Sequence, residues 1–177
     1  MRDSPATSIP LIATPPKILE KCRRFPQLQP ACPTKVPDVD EKFQRANAAS
    51  HGKTLVFFAE WNAPYPGLTT RNAPPTFAHV NAFAGDIQSM ANFEIDDAPN
   101  KSPPRKRDSA LSFGDRSWNG RIGDLLLAPS YPHGGMEGDH LIFQWSQEGM
   151  NYSLSLHAWE PLEETEATLK ALVESLP

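Results

Sequence analysis

The strongest chemical constellation in this chain is a set of histidines and carboxylates near its C-terminal end. His140 and His157 lie in two alternating runs, His140–Trp145 and Asn151–Ala158, separated by Ser146–Met150 with its Gly149. A loop of four residues, Gln147–Met150, sets Trp145 opposite Tyr152, Phe143 opposite Leu154 and His140 opposite His157. Directly opposed strand residues hold their Cβ atoms about 4.5–5.5 Å apart, close enough for two imidazoles to share a ligand. His133, Glu137 and Asp139 adjoin the first strand, and Ser153 and Ser155 share the histidines' face. His133, Asp139, His140 and His157 therefore form a His/His/carboxylate set of the kind that binds transition metals. The competing reading makes His140 and His157 half-exposed strand residues bonded to carbonyls or water. A slip of one residue in register removes the pair. No HExxH spacing fixes the set, and no cofactor motif accompanies it.

Other chemistry finds less support. His79 lies between Phe77 and Asn81 on an aromatic strand face, and His51 stands beside Gly52 in a turn. No GxSxG elbow is present, and neither cysteine has a histidine near it in sequence. Gly114, Gly120 and Gly123, in GDRSWNGRIG, match no phosphate-binding fingerprint and read as turns or bulges. Lys101–Arg107 (KSPPRKR) is basic, but it has no interleaved aromatic residue and sits in an acidic domain, so nucleic acid is not an expected partner. The four tryptophans, Trp61, Trp118, Trp145 and Trp159, read mainly as core, with Trp159 at the end of the outer face. Cys22 and Cys32 flank Pro26 and Pro30, which favour chain reversal. In an oxidising compartment they can close a small loop, and in a reducing one they are two thiols. Their spacing is not the CxxC of a redox motif.

The elements that must position these residues follow from periodicity. Thr54–Trp61 (TLVFFAEW) is a β-branched and aromatic strand, and Thr76–Ala84 alternates between two faces. Met90–Ile95 reads as a short strand, residues 96–108 as an exposed loop, and Trp118–Ala128 as a strand centred on Leu125–Leu127. The runs around Gly149 form a hairpin, with Leu141, Phe143 and Trp145 facing the same side as Tyr152, Leu154 and Leu156. After Pro161, Leu169, Leu172, Val173 and Leu176 follow helical spacing, and Glu163, Glu164 and Glu166 suit the positive end of a helix dipole. The fold class is α+β: a mainly antiparallel β-sheet with a C-terminal helix packed on one face.

Composition divides the chain. Of its 177 residues 19 are proline, and eight of those prolines fall within residues 1–37. That segment carries six Lys/Arg against two Asp/Glu, whereas the rest carries 11 against 19. The division predicts a proline-rich, basic, partly ordered arm over residues 1–40, helical only near Lys17–Phe25. A single α+β domain over 41–177 follows it. No apolar run is long enough to span a membrane. Met1–Pro16 holds Ile9, Leu11 and Ile12, interrupted by Pro10, which is not a secretory signal. The chain reads as cytoplasmic as written, and as envelope-located or extracellular if a signal or anchor precedes it.

The blocks ACPTKVP, PGLTTRNAPPTFAHVN, APSYPHGGMEGDHLIFQW and YSLSLHAWEP resemble a family of bacterial proteins with no assigned activity. The ending YSLSLHAW…TLKALVESL is similar to the last strand and helix of PsbP/Mog1-like α+β domains, several of which are bacterial lipoproteins. Cys22 follows ILEK, so it lacks the small apolar residues of a lipobox. These resemblances imply a non-enzymatic, envelope-associated domain that binds a protein partner or a small ligand. The alternative from the residues themselves is a metal-dependent enzyme using the His/Asp cluster.

Overall fold

A computed structural model describes residues 6–38, 43–51, 54–61, 78–85, 110–128, 138–159 and 161–177. Its elements are β1 (Leu11–Ala13), α1 (Pro16–Cys22), a 3-10 helix (Pro26–Ala31), β2 (Lys35–Pro37), β3 (Phe43–His51), β4 (Thr54–Trp61), β5 (Ala78–Gly85), β6 (Leu111–Trp118), β7 (Arg121–Leu127), β8 (His140–Gln147), β9 (Met150–His157) and α2 (Leu162–Glu174). β1 and β2 form a two-stranded ribbon, and the others form a seven-stranded sheet in the order β3-β4-β5-β9-β8-β7-β6. Every neighbouring pair is antiparallel. Two meanders, β3–β5 and β6–β9, thus meet where β5 pairs with β9, and the expected α+β class holds.

Hairpin chemistry sets the second meander. Glu148 and Gly149 have φ of 52° and 78°, and Asn119 and Gly120 have φ of 50° and 73°. Two consecutive positive φ values define the turn whose twist matches that of the flanking strands. Between β8 and β9 the turn is two residues, shorter than the expected four, because Gln147 pairs with Met150. The register is unchanged, with Trp145 opposite Tyr152 and Phe143 opposite Leu154. The single strand expected over Trp118–Ala128 is corrected: Trp118 ends β6, and Asn119–Gly120 turns the chain into β7. In β6 the register shifts between Ser112 and Asp115, a bulge at Gly114 with φ 78°. Met90–Ile95 and the loop 96–108 lie outside the described residues.

One face of the sheet is the apolar core, and it has two zones. Over β6–β9 it carries Trp118, Leu125, Leu141, Phe143, Trp145, Tyr152, Leu154 and Leu156, packed against Leu169, Leu172, Val173 and Leu176. Ring centroids run 4.7 Å from Trp118 to Phe143, then 5.5 Å to Trp145 and 5.5 Å to Tyr152. α2 lies on β8 and β9. Over β3–β5 the same face carries Ala46, Ala48, Ala59, Ala82 and Ala84 among the core residues, with Phe57 and Val80 between them. The small size of the alanines makes room for a second cover: α1 rests on β3 and β4, and the 3-10 helix rests on β4, β5 and β9. That cover contributes Cys22, Leu28, Ala31 and Cys32 to the core, so the proline-rich segment builds part of the domain's interior. The Cys22 and Cys32 sulfurs stand at disulfide distance, 2.06 Å, with Cα atoms 5.8 Å apart.

The strand-to-helix connection is clamped by Trp159. Its backbone N–H donates to Thr165 Oγ1, Thr165 Oγ1 donates to its carbonyl, and its indole N–H donates to Glu164 Oε2. Trp159 is buried in the core cluster, which corrects its expected place on the outer face. β9 ends at His157, so strand alternation no longer governs Trp159. Trp118 and Trp145 are core as expected. Among the described residues no helix is long and apolar enough to cross a membrane.

Candidate functional site

The face opposite the core is where the chemistry collects. Alternation along β9 places Asn151, Ser153, Ser155 and His157 there. β5 brings Asn81 opposite Ser155 and Phe83 opposite Ser153. β8 brings His140 opposite His157, Ile142 opposite Ser155 and Gln144 opposite Ser153. An outward sheet face of this composition is usually wet. Here it is not: His140 is 0% exposed, His157 3%, Ser153 and Ser155 0%, and Asn81 1%. The half-exposed histidines anticipated from the strand pattern are therefore fully interior.

Within this polar layer His140 Nδ1 and Ser155 Oγ share a hydrogen bond of 2.8 Å, diagonal to the His140–His157 pair. The two imidazole centroids are 5.5 Å apart with planes at 74°, edge to face. Burial pushes the His157 imidazole below its ordinary pKa of 6.5, and the Asp139 carboxylate partly offsets the shift. The ring is therefore neutral near pH 7. Asp139 sits at the strand entrance with φ 60°, and its carbonyl accepts the Ala158 N–H at 2.8 Å. The hydroxyls of Ser153 and Thr54 are buried without a hydrogen-bond partner among the described residues.

The sequence-predicted ligand set is thus brought together in part. His140 and His157 face each other in the expected register, Asp139 adjoins His140, and His133 lies outside the described residues. Among the described residues no group of three His, Cys, Asp or Glu side chains is arranged to hold a metal ion. The Ser155–His140 distance is that of a nucleophile and its base. Both residues are wholly buried, so a substrate carbonyl reaches Ser155 only if the layer opens. Sequence reasoning did not join Asn81, Asn151 and Thr54 to this layer. On β9 the signal lay in Asn151, Ser153, Ser155 and His157 recurring at every second position of an otherwise apolar strand. His51 pairs with Thr54 at the β3–β4 end, and His79 lies in β5 opposite Glu60. Lys101–Arg107 falls outside the described residues.

A concavity of about 260 Å³ opens between β6, β7 and β8 and is lined by Asp115, Ile122, Asp124, Gln144 and Ser146. Asp115 and Asp124 oppose each other across the strands. A hydrogen bond from Asp115 pushes the Asp124 carboxyl above the ordinary carboxylate range, with burial and the Asp115 charge adding to the shift.

With this geometry in hand, comparison with known proteins returns no match: no family model, curated protein or solved structure is similar to the chain. The fold and the polar layer alone define its class, an antiparallel α+β domain.

Proposed function

We propose that this protein is a non-enzymatic binding domain whose small-molecule ligand engages the polar layer on β5, β8 and β9 when that wholly buried layer opens. One observation carries the reading: a sheet face that buries His140, His157, Ser153, Ser155 and Asn81 together. Within that face the Ser153 hydroxyl is buried without a hydrogen-bond partner among the described residues, and leaving such a group unsatisfied costs about 1–3 kcal/mol. The orphan Ser153 and Thr54 hydroxyls mark where hydrogen-bonding capacity is held in reserve. The layer offers hydroxyls, a neutral imidazole and an amide, which suits a polar, hydrogen-bonding ligand over a hydrocarbon. The buried cysteine pair at disulfide distance supports work in an oxidising compartment, at the cell envelope or outside it.

A thermal-shift screen of polar small molecules against wild type and Ser153→Val tests the proposal. The expected result is a hit that raises the wild-type melting temperature and loses its effect in the variant. Hits that shift both proteins equally place binding elsewhere and contradict the proposal. Metal analysis after incubation with zinc, manganese or iron tests the enzyme alternative; stoichiometric metal lost in His157→Gln would favour it.

A further inference from the structure

The cover on the alanine zone is a flap with its own hinge and its own fastening. It runs from Thr14 to Thr34. Its base is closed by the β1–β2 ribbon, by Thr14 N–H donating to the Thr34 carbonyl at 2.9 Å, and by Thr14 Oγ1 donating to the Pro33 carbonyl at 2.8 Å. Between these points lie only α1, of seven residues, and a 3-10 helix of six that contains Pro30. Neither approaches the roughly 12–15 residues at which a helix begins to hold itself in water. Their order must come from what lies beneath and from the cross-link. Beneath are five alanines, Ala46, Ala48, Ala59, Ala82 and Ala84, which bury little apolar area each, and two larger side chains, Phe57 and Val80, on the same face. A lateral tether, Lys21 Nζ to the Ala46 carbonyl at 2.9 Å, reaches β3. The cross-link joins the last residue of α1 to the residue capping the 3-10 helix, across a sequence separation of 10.

From this arrangement we infer that the Thr14–Thr34 flap is redox-conditional. It is docked while Cys22 and Cys32 are joined, and it lifts off β3–β5 when they are reduced, with β6–β9 and α2 remaining folded. The inference is independent of the ligand reading. The reductant is a dithiol. One of its thiolates attacks a sulfur of the Cys22–Cys32 bond to form a mixed disulfide. Its second thiolate then displaces the protein sulfur. Two electrons and two protons pass to the protein, which gains two thiols, and the dithiol leaves as a cyclic disulfide. Both cysteines are 1% exposed, so the first attack requires a transient lifting of the flap. Closing a loop of this length favours the ordered form by about 100-fold, and that factor is lost on reduction.

Hydrogen exchange of the full chain, read by peptide mass with and without dithiothreitol, tests the inference. The amides of Leu19, Arg23, Leu28 and Cys32, all hydrogen-bonded within the flap, report its docking. Expected is a rise of about 100-fold in exchange across residues 14–34 on reduction, with peptides from β8 and β9 unchanged. A Cys22→Ala/Cys32→Ala variant should show the same pattern without reductant. Three results overturn the inference: flap exchange unmoved by reduction, a bond that native protein never yields to the dithiol, or loss of protection in β8 and β9 in step with the flap. A double variant that does not fold counts with the last.

Discussion

Ser153 and Ser155 occupy one face of one strand, both wholly buried, and their environments differ. Ser155 Oγ is bonded to His140 Nδ1, whereas Ser153 Oγ has no partner among the described residues. Ser155→Ala should lower stability by about 1–2 kcal/mol, since it strands a buried imidazole nitrogen. Ser153→Ala should raise stability by up to about 1 kcal/mol, because it removes an orphan hydroxyl at no cost in packing. Urea titrations of the two variants check both signs, and equal effects would show that the layer has no such division. His157 adds a pH dependence. Its folded pKa is depressed by burial, so as pH falls through 6.5 the unfolded chain takes up a proton that the folded chain refuses. Stability conferred by the neutral ring is complete above that value and declines below it. Melting temperatures from pH 8 to 5 should fall more steeply in wild type than in His157→Gln. Parallel curves would remove His157 as the cause.

Elements carry the next set of consequences. Gly120 sits at φ 73° in open space, so Ala there meets only backbone strain and should cost about 1 kcal/mol. Gly123 differs: a Cβ would collide with the backbone carbonyl of Gln144 on β8. Gly123→Ala must move one strand against the other, and a cost of about 2–3 kcal/mol is expected in the same denaturation assay. If the two substitutions cost the same, the close approach of β7 to β8 is not the reason for Gly123. The contrast also explains which elements were legible. β8, β9 and α2 alternate or repeat cleanly, so their faces, register and helical packing could be read directly. β6, LSFGDRSW, is an edge strand with mostly exposed side chains and a bulge at Gly114, which breaks its period. β3, FQRANAASH, is rich in alanine, which carries little strand preference. The Asn119–Gly120 pair, a strong hairpin signal, was the clue that could have divided β6 from β7.

At the scale of the whole molecule, the sheet is covered in two ways that the chain's composition does not display. Prolines and charge mark residues 1–37 as distinct, yet periodicity cannot say where such a segment packs. Its burial of Leu28, Ala31, Cys22 and Cys32 against an alanine-rich floor that also holds Phe57 and Val80 is a tertiary fact. The same holds for the polar layer. The opposition of His140 and His157 followed from hairpin register, but their burial depends on what covers the second face. A strand pattern with serines and histidines on one side ordinarily signals solvent. The proposed binding surface is this buried polar face. Amide chemical-shift mapping of the full chain, titrated with a polar ligand found by thermal shift, tests it most directly. The perturbed residues should cluster at Asn81, Phe83, His140, Ile142, Ser153, Ser155 and His157. Perturbations centred instead on Asp115, Ile122 and Asp124, or on the outer side of α2, with the polar layer silent, would contradict it.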